Sequence, residues 1–129
     1  MSEVKTDKLT GVGTAGDIDV TSEGGAVTMQ LQQGLAKSWA RFDLTGTQSI
    51  DNSLSVSSIV DNGVGLTTLN FTNAFSTQYF SMGGASMGGN VFGYQNSTST
   101  TTTSVDIITW YSSYSDNANQ GANIMGDLA

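Results

Sequence analysis

The sequence predicts an all-β protein: an antiparallel β-sandwich or barrel-like knob, preceded by a short extended or β-hairpin N-terminal anchor. Three observations predict it. Gly, Ser, Thr, Asn and Gln make up about half of the 129 residues, a composition that favours caps, turns and strands over helix. Apolar and polar residues alternate with a period of two in several short runs, with turn signals between them. Nowhere is there a convincing 3.6-residue period, and only residues 34–39 and 116–122 have room for a helical turn.

Residues 1–33 and 34–129 read as separate parts. In the first, Asp17-Ile18-Asp19-Val20-Thr21 and Val27-Thr28-Met29-Gln30-Leu31, joined by Glu23-Gly24-Gly25, predict a small hairpin. Its large apolar side chains, among them Val4, Leu9, Ile18 and Val20, are few and widely spaced. Alone they cannot offset an ordering cost of about 1–2 kcal/mol per residue. The segment is therefore expected to fold only against something else, as an anchor or inter-subunit arm, and fully extended it spans at most about 110 Å.

The second part reads as a succession of strands. Ala40, Phe42 and Leu44 alternate with Arg41 and Asp43, and Leu54 and Val56 lead into Ile59-Val60. Thr67, Leu69 and Phe71 share one face after the hairpin signal Asp61-Asn62-Gly63, whose residues tolerate positive φ. Shorter strands are expected at 78–81 and 91–95, around a glycine-rich loop at 83–89. Residues 104–112 form the clearest late strand, with large side chains on both faces, which implies that both faces are covered. The Ser/Thr run at 97–104 reads as an exposed loop feeding that strand.

Composition excludes several functions. Without histidine or cysteine there is no imidazole base, thiolate nucleophile, disulfide or usual zinc ligand. The net charge is −7, and the four basic residues, Lys5, Lys8, Lys37 and Arg41, all lie in the first third. Nucleic acid and anionic membranes both demand clustered Lys and Arg, so neither is expected as a partner. The opening residues mix acids and lysines without an apolar stretch, so the expectation is synthesis in the cytosol without an export signal. The Asn-x-Thr sequons at Asn70 and Asn96 then carry no glycan.

Two motifs occur literally and are set aside. Gly11-Val12-Gly13-Thr14-Ala15-Gly16 matches G-x-G-x-x-G, but no buried strand precedes it and no helix follows. Gly84-Ala85-Ser86-Met87-Gly88 matches the nucleophile elbow, but there is no histidine to take the serine proton. Its glycines read as a tight loop or a close backbone approach. Carboxylate-based glycan hydrolysis is the one enzymatic option left, and Asp43, Asp51, Asp61, Asp106 and Asp116 qualify by type. Their spacing singles out no pair, and Asp61 reads as a turn residue. Asp17 and Asp19 lack calcium-loop spacing and read as solvated strand positions. The expectation is a protein that is not an enzyme and holds no metal or cofactor.

Aromatic faces beside amides suit sugars. Trp110, Tyr111 and Tyr114, with Tyr94 and Asn96 on the same surface, are candidate glycan contacts. Alternation makes Trp110 or Tyr111, or both in an inter-subunit core, the competing assignment.

Gly34-Leu35-Ala36-Lys37-Ser38-Trp39-Ala40-Arg41-Phe42, then Gly46-Thr47, the stretch Ser57-Ser58-Ile59-Val60-Asp61-Asn62-Gly63-Val64-Gly65 and Leu69-Asn70-Phe71-Thr72 resemble a module of small virion proteins of tailed bacteriophages, including tail-fibre-like proteins of marine phages. The opening Glu3-Val4-Lys5-Thr6-Asp7-Lys8-Leu9-Thr10-Gly11 resembles the virion-attaching start of such proteins. The resemblance covers residues 1–80 and consists of turn and strand residues. It implies a virion structural protein, a short tail fibre or, alternatively, a capsid decoration protein. The knob would be a homotrimer held to other virion proteins through Val4, Leu9, Ile18 and Val20, its outer β domain free to meet host-surface polysaccharide.

Overall fold

The computed structural model describes residues 3–14, 18–21, 25, 28–31, 34–86, 91–94 and 100–129. Among them are ten strands and no helix, every strand pairing is antiparallel, and no sheet closes into a barrel. The chain divides into two compact units, Met1–Leu35 and Ala36–Ala129.

In the first unit, β1 (Asp19–Thr21) pairs with β2 (Thr28–Gln30), and the Leu31 N–H donates to Ile18 O at 2.7 Å to close the hairpin. Gly25 supplies a positive φ of 70° in the connection; Glu23 and Gly24 lie outside the described residues, as does Asp17. None of the unit's described residues is buried. Val4, Leu9, Val20 and Met29 are exposed, and Ile18 is half-buried. Among the described residues of the G-x-G-x-x-G stretch there is neither strand nor helix; Ala15 and Gly16 lie outside them.

The second unit is a two-sheet sandwich. The first sheet contains β3 (Ser38–Asp43), β4 (Ser49–Leu54), β7 (Ser81–Ser86) and β10 (Gln120–Met125), ordered β4-β3-β10-β7. The second contains β5 (Val56–Gly63), β6 (Leu66–Phe71), β8 (Val91–Tyr94) and β9 (Ser104–Trp110), ordered β5-β6-β9-β8. Inward positions of the four central strands make the core: Ala40, Phe42, Ala122 and Ile124 from one sheet, Leu69, Phe71, Val105 and Ile107 from the other. Fully burying a large apolar side chain contributes about 1.5–3 kcal/mol. Phe71, Phe75 and Phe80 seal one end, with ring centroids 4.8–5.6 Å apart.

Ser55 alone separates β4 from β5, which belong to different sheets, and it turns the corner at a φ of 56°. The corner is stitched by the buried Ser38 Oγ–H, which donates to Leu54 O at 3.2 Å, and by Thr72 N–H, which donates to Ser55 O at 2.9 Å.

Several expectations are corrected. The two stretches with room for a helical turn hold none: Ser38 opens β3, and Gln120–Met125 is a central strand whose alternating Ala122 and Ile124 face the core. The 78–81 strand lies further along, at Ser81–Ser86, so Gly83 and Gly84 are strand residues paired with Asn123 and Ala122 rather than a loop. The β5–β6 hairpin turns at Val64-Gly65, two residues past Asn62-Gly63, because a register shift at Asp61/Gly63 absorbs the extra residue. The late strand ends at Trp110. Its inner face is buried, but on the other face Asp106 and Ile108 are half-buried and Trp110 is exposed, so only one face is fully covered. Of the Ser/Thr run, residues 97–99 lie outside the described residues; 100–103 form a loop into β9 with Thr101 and Thr103 exposed, but Thr100 is buried, and the carbonyls of Thr102 and Thr103 accept from Phe75 and Phe71 N–H at 2.8 Å.

Gly65 shows how tightly this end is built. A Cβ there would stand 2.5 Å from Thr109 O and 2.6 Å from Ser115 N, whereas one on Gly46 meets nothing within 4 Å; both glycines have φ +66°. Ala at either position incurs the left-handed penalty of about 1–2 kcal/mol. Gly65→Ala adds backbone overlap and is expected to cost at least about 2 kcal/mol more than Gly46→Ala. Urea unfolding of the two variants checks this; equal midpoints would contradict the packing described.

Candidate functional site: a trough on the outer face of the first sheet

The predicted sugar-contact residues are only partly brought together. Trp110 and Tyr114 form an isolated bridge flanking a turn in which Tyr111 N–H donates to Ser113 O at 3.1 Å. Trp110, Tyr111 and Tyr114 are all exposed, at 47, 70 and 49%. Neither Trp110 nor Tyr111 is core within this chain. Thr109 anchors the turn, its Oγ1–H donating to Ser115 O at 2.6 Å, and the exposed Val64 sits on the hairpin tip that meets Tyr114. Tyr94 is in β8 with its backbone opposite Ile107, three residues along β9 from Trp110, or roughly 10 Å away. Asn96 lies outside the described residues.

The five candidate acids each hold a local contact. Asp51 Oδ2 pairs with Arg41 Nε at 3.5 Å. Asp61 Oδ1 accepts from Gly63 N–H and from Gln48 Nε2, both at 2.9 Å. Asp106 Oδ1 accepts from Thr68 Oγ1, which itself accepts from Asn62 Nδ2, in a polar ladder across the second sheet. Asp116 Oδ1 accepts from Gly65 N–H at 2.6 Å. Asp43 is bound by Thr45. Among the described residues no three Asp or Glu side chains gather where a metal ion could be held. Ser86, the serine of the elbow-like motif, ends a strand, and its buried Oγ has no hydrogen-bond partner among the described residues; Gly88 lies outside them.

A concave surface of the second unit lies elsewhere. A trough of about 510 Å³ runs over the outer face of the first sheet. Strand alternation creates it. With Ala40 and Phe42 directed into the core, Trp39 and Arg41 stand on the outer face of β3, beside Leu54 and Asn52 of β4. On the other half of the sheet the corresponding positions are nearly bare. Across the strands Trp39 is opposite Asn123 and Asn123 opposite Gly83, while Arg41 is opposite Gly121 and Gly121 opposite Ala85. Glycine in a strand interior weakens it and often marks a close approach by a ligand or another backbone. Here Gly83, Ala85 and Gly121 leave a floor of backbone, with Trp39 and Arg41 rising beside it and Asn123 exposed upon it.

Arg41 is held from two sides. Its Nε faces Asp51, and its Nη2 donates to Asn119 Oδ1. Asn119 occupies the left-handed region at φ 59°, which Asn adopts more readily than most residues. The ion pair is half exposed on both sides, so it adds little stability; what it does is balance the Arg41 charge and fix the guanidinium plane.

Sequence reasoning missed this trough for a physical reason. The placement of Trp39 and Arg41 on one face was legible from alternation. The bare half was not, because 83–86 read as a loop and 120–125 was not read as a strand. The available signal was small residues at every second position, Gly83 with Ala85 and Gly121 facing outward while Ala122 and Ile124 face inward.

At the end of β3, Thr45 donates to Asp43 Oδ1 from both Oγ1 and N–H, each at 2.6 Å. These bonds, the side-chain one first, hold the Asp43 carboxyl below the ordinary aspartate value. Since the folded value lies below the unfolded one, the stabilisation is complete above the unfolded pKa of about 3.9. It is lost as pH falls through the depressed folded value. Thr45→Val removes the stronger contributor and keeps the N–H, so the Asp43 pKa is expected to rise part of the way towards normal. Carboxyl-detected NMR titration reads this directly, and an unmoved Asp43 titration would refute the assignment.

No family model matches the chain, and no curated protein or solved structure matches it. The reading of its function therefore rests on its own residues.

Proposed function

We propose that this chain is a structural protein of a phage particle, most closely a short tail fibre, with residues 1–33 attached to the virion and the sandwich facing outward. The observation that carries the reading is the character of the first unit: among its described residues none is buried, while Val4, Leu9, Val20 and Met29 offer apolar surface. A segment so built gains stability when a further surface covers it, and the virion is the cover this reading assigns.

The homotrimer is part of the same proposal. Val64, Trp110, Tyr111 and Tyr114 are exposed on the hairpin tip and turn at one end of the sandwich, and large exposed aromatics suit burial between copies. Native mass spectrometry of the full chain is expected to give the mass of three copies, and Trp110→Ser with Tyr111→Ser to shift the population towards one. A wild-type chain that stays single at all concentrations would remove the trimer.

Immunogold labelling of purified particles tests the location. Label at the tail is expected. Regular label over the head would instead identify a capsid decoration protein, and particles free of the protein would overturn the virion reading altogether.

A further inference from the structure

We propose that the trough on the outer face of the first sheet is a binding site for a neutral oligosaccharide, with Trp39 as the stacking wall and Asn119, Asn123 and Arg41 as the hydrogen-bonding groups. The proposal rests on the outward-facing reading of the sandwich and gives that face its ligand class. It also moves the sugar site from the Trp110 end of the molecule to the opposite sheet.

Four features of the trough define the ligand. First, its shape is open and shallow, with a backbone floor at Gly83, Ala85 and Gly121, so a broad flat ligand can lie on the strands without displacing a side chain. Second, one large aromatic wall stands beside several amides. This combination of an apolar face and a few fixed polar groups suits a sugar ring, which has apolar C–H faces and a hydroxyl rim. Asn123 offers both an acceptor and a donor, and Asn119, its Oδ1 engaged by Arg41, keeps its Nδ2H₂ to donate.

Third, the charge is wrong for an anion. Arg41 is the one cation among the described residues lining the trough and is already paired with Asp51 at 3.5 Å, while the chain as a whole carries −7. Phosphate, sulfate or sialic acid would meet a compensated site inside a repelling field. Fourth, the trough lies over β3, β10 and β7, where main-chain groups of the central strands β3 and β10 are already spent in the ladders on both sides. A peptide adding itself as a strand requires an open edge, which in this sheet lies along β4 and β7 and not over β3 and β10, where Trp39, Arg41, Asn119 and Asn123 stand. The β3 register sets Trp39 and Arg41 on this face, and Asp51 and Asn119 hold the Arg41 guanidinium in place before any ligand arrives.

The test uses the full-length protein on an array of neutral oligosaccharides, with sulfated and sialylated glycans as separate arms, followed by calorimetry on each hit. Three variants are compared: Trp39→Ala, which removes the wall; Gly121→Val, which fills the trough, its Cβ meeting no atom closer than Ala85 O at 4.0 Å; and Trp110→Phe, which leaves Trp39 as the sole tryptophan. The expected result is binding to neutral glycans, at least tenfold weaker in Trp39→Ala and in Gly121→Val. In Trp110→Phe affinity is unchanged, and the remaining Trp39 fluorescence shifts as ligand saturates. Circular dichroism confirms that each variant keeps its sheets.

Wild-type affinity in both Trp39→Ala and Gly121→Val would overturn the trough assignment, as would binding confined to the acidic arms. Neutral-glycan binding lost in Trp110→Phe but kept in the other two would return the site to the aromatic end. Absence of binding to every glycan would end the proposal, and immunogold labelling would still decide separately whether the protein is part of the particle.

Discussion

Two pairs of central strands, β3 with β10 and β6 with β9, supply most of the interior of the second unit, and everything else is arranged around that narrow core. Few large apolar side chains are available in a chain half composed of small and uncharged polar residues. They are spent inward at every second position: Phe42, Leu69, Ile107 and Ile124 have no solvent exposure at all. Because side-chain direction alternates along a strand, this inward commitment decides what the outer faces contain. Trp39 and Arg41 face out because Ala40 and Phe42 face in.

The same economy explains the connections. A sandwich with a small core must keep its corners from fraying, and the polar residues do this with short hydrogen bonds rather than with apolar bulk. Ser38, Ser55 and Thr72 tie the crossing from one sheet to the other, Thr109 with Asp116 locks the turn carrying the aromatic end, and the Thr100–Ser104 region is pinned to the strand of Phe71 and to Phe75. Serine and threonine here do not signify low complexity in the structural sense. The Ser38 and Thr109 hydroxyls and the amides of Phe71, Thr72 and Phe75 each pair with a backbone carbonyl at these corners.

Much of the fold was legible in the sequence wherever large apolar residues alternated with polar ones. Ala40-Arg41-Phe42, Thr67-Thr68-Leu69 and Val105-Asp106-Ile107 declared their faces plainly, and the hairpin of the first unit followed from its turn. Legibility failed where strands were built from small residues. In Ser81–Ser86 and Gln120–Met125 the period of two is carried by the difference between Gly and Ala or between Ala and Asn, too slight to separate from a loop. Both are partners of stronger strands, and tertiary pairing overrides their weak intrinsic preference. The trough was hidden for the same cause, since its floor is defined by the side chains those strands lack.

A floor made of main chain has an evolutionary consequence. At Gly83, Ala85 and Gly121 nearly every available replacement adds matter and almost none takes it away, so the contour of that face is adjusted in one direction, by filling. Core and register are untouched by such changes because the added atoms point to solvent. A sandwich of this kind can therefore vary the outline it presents one outward methyl or methylene at a time while its interior stays the same.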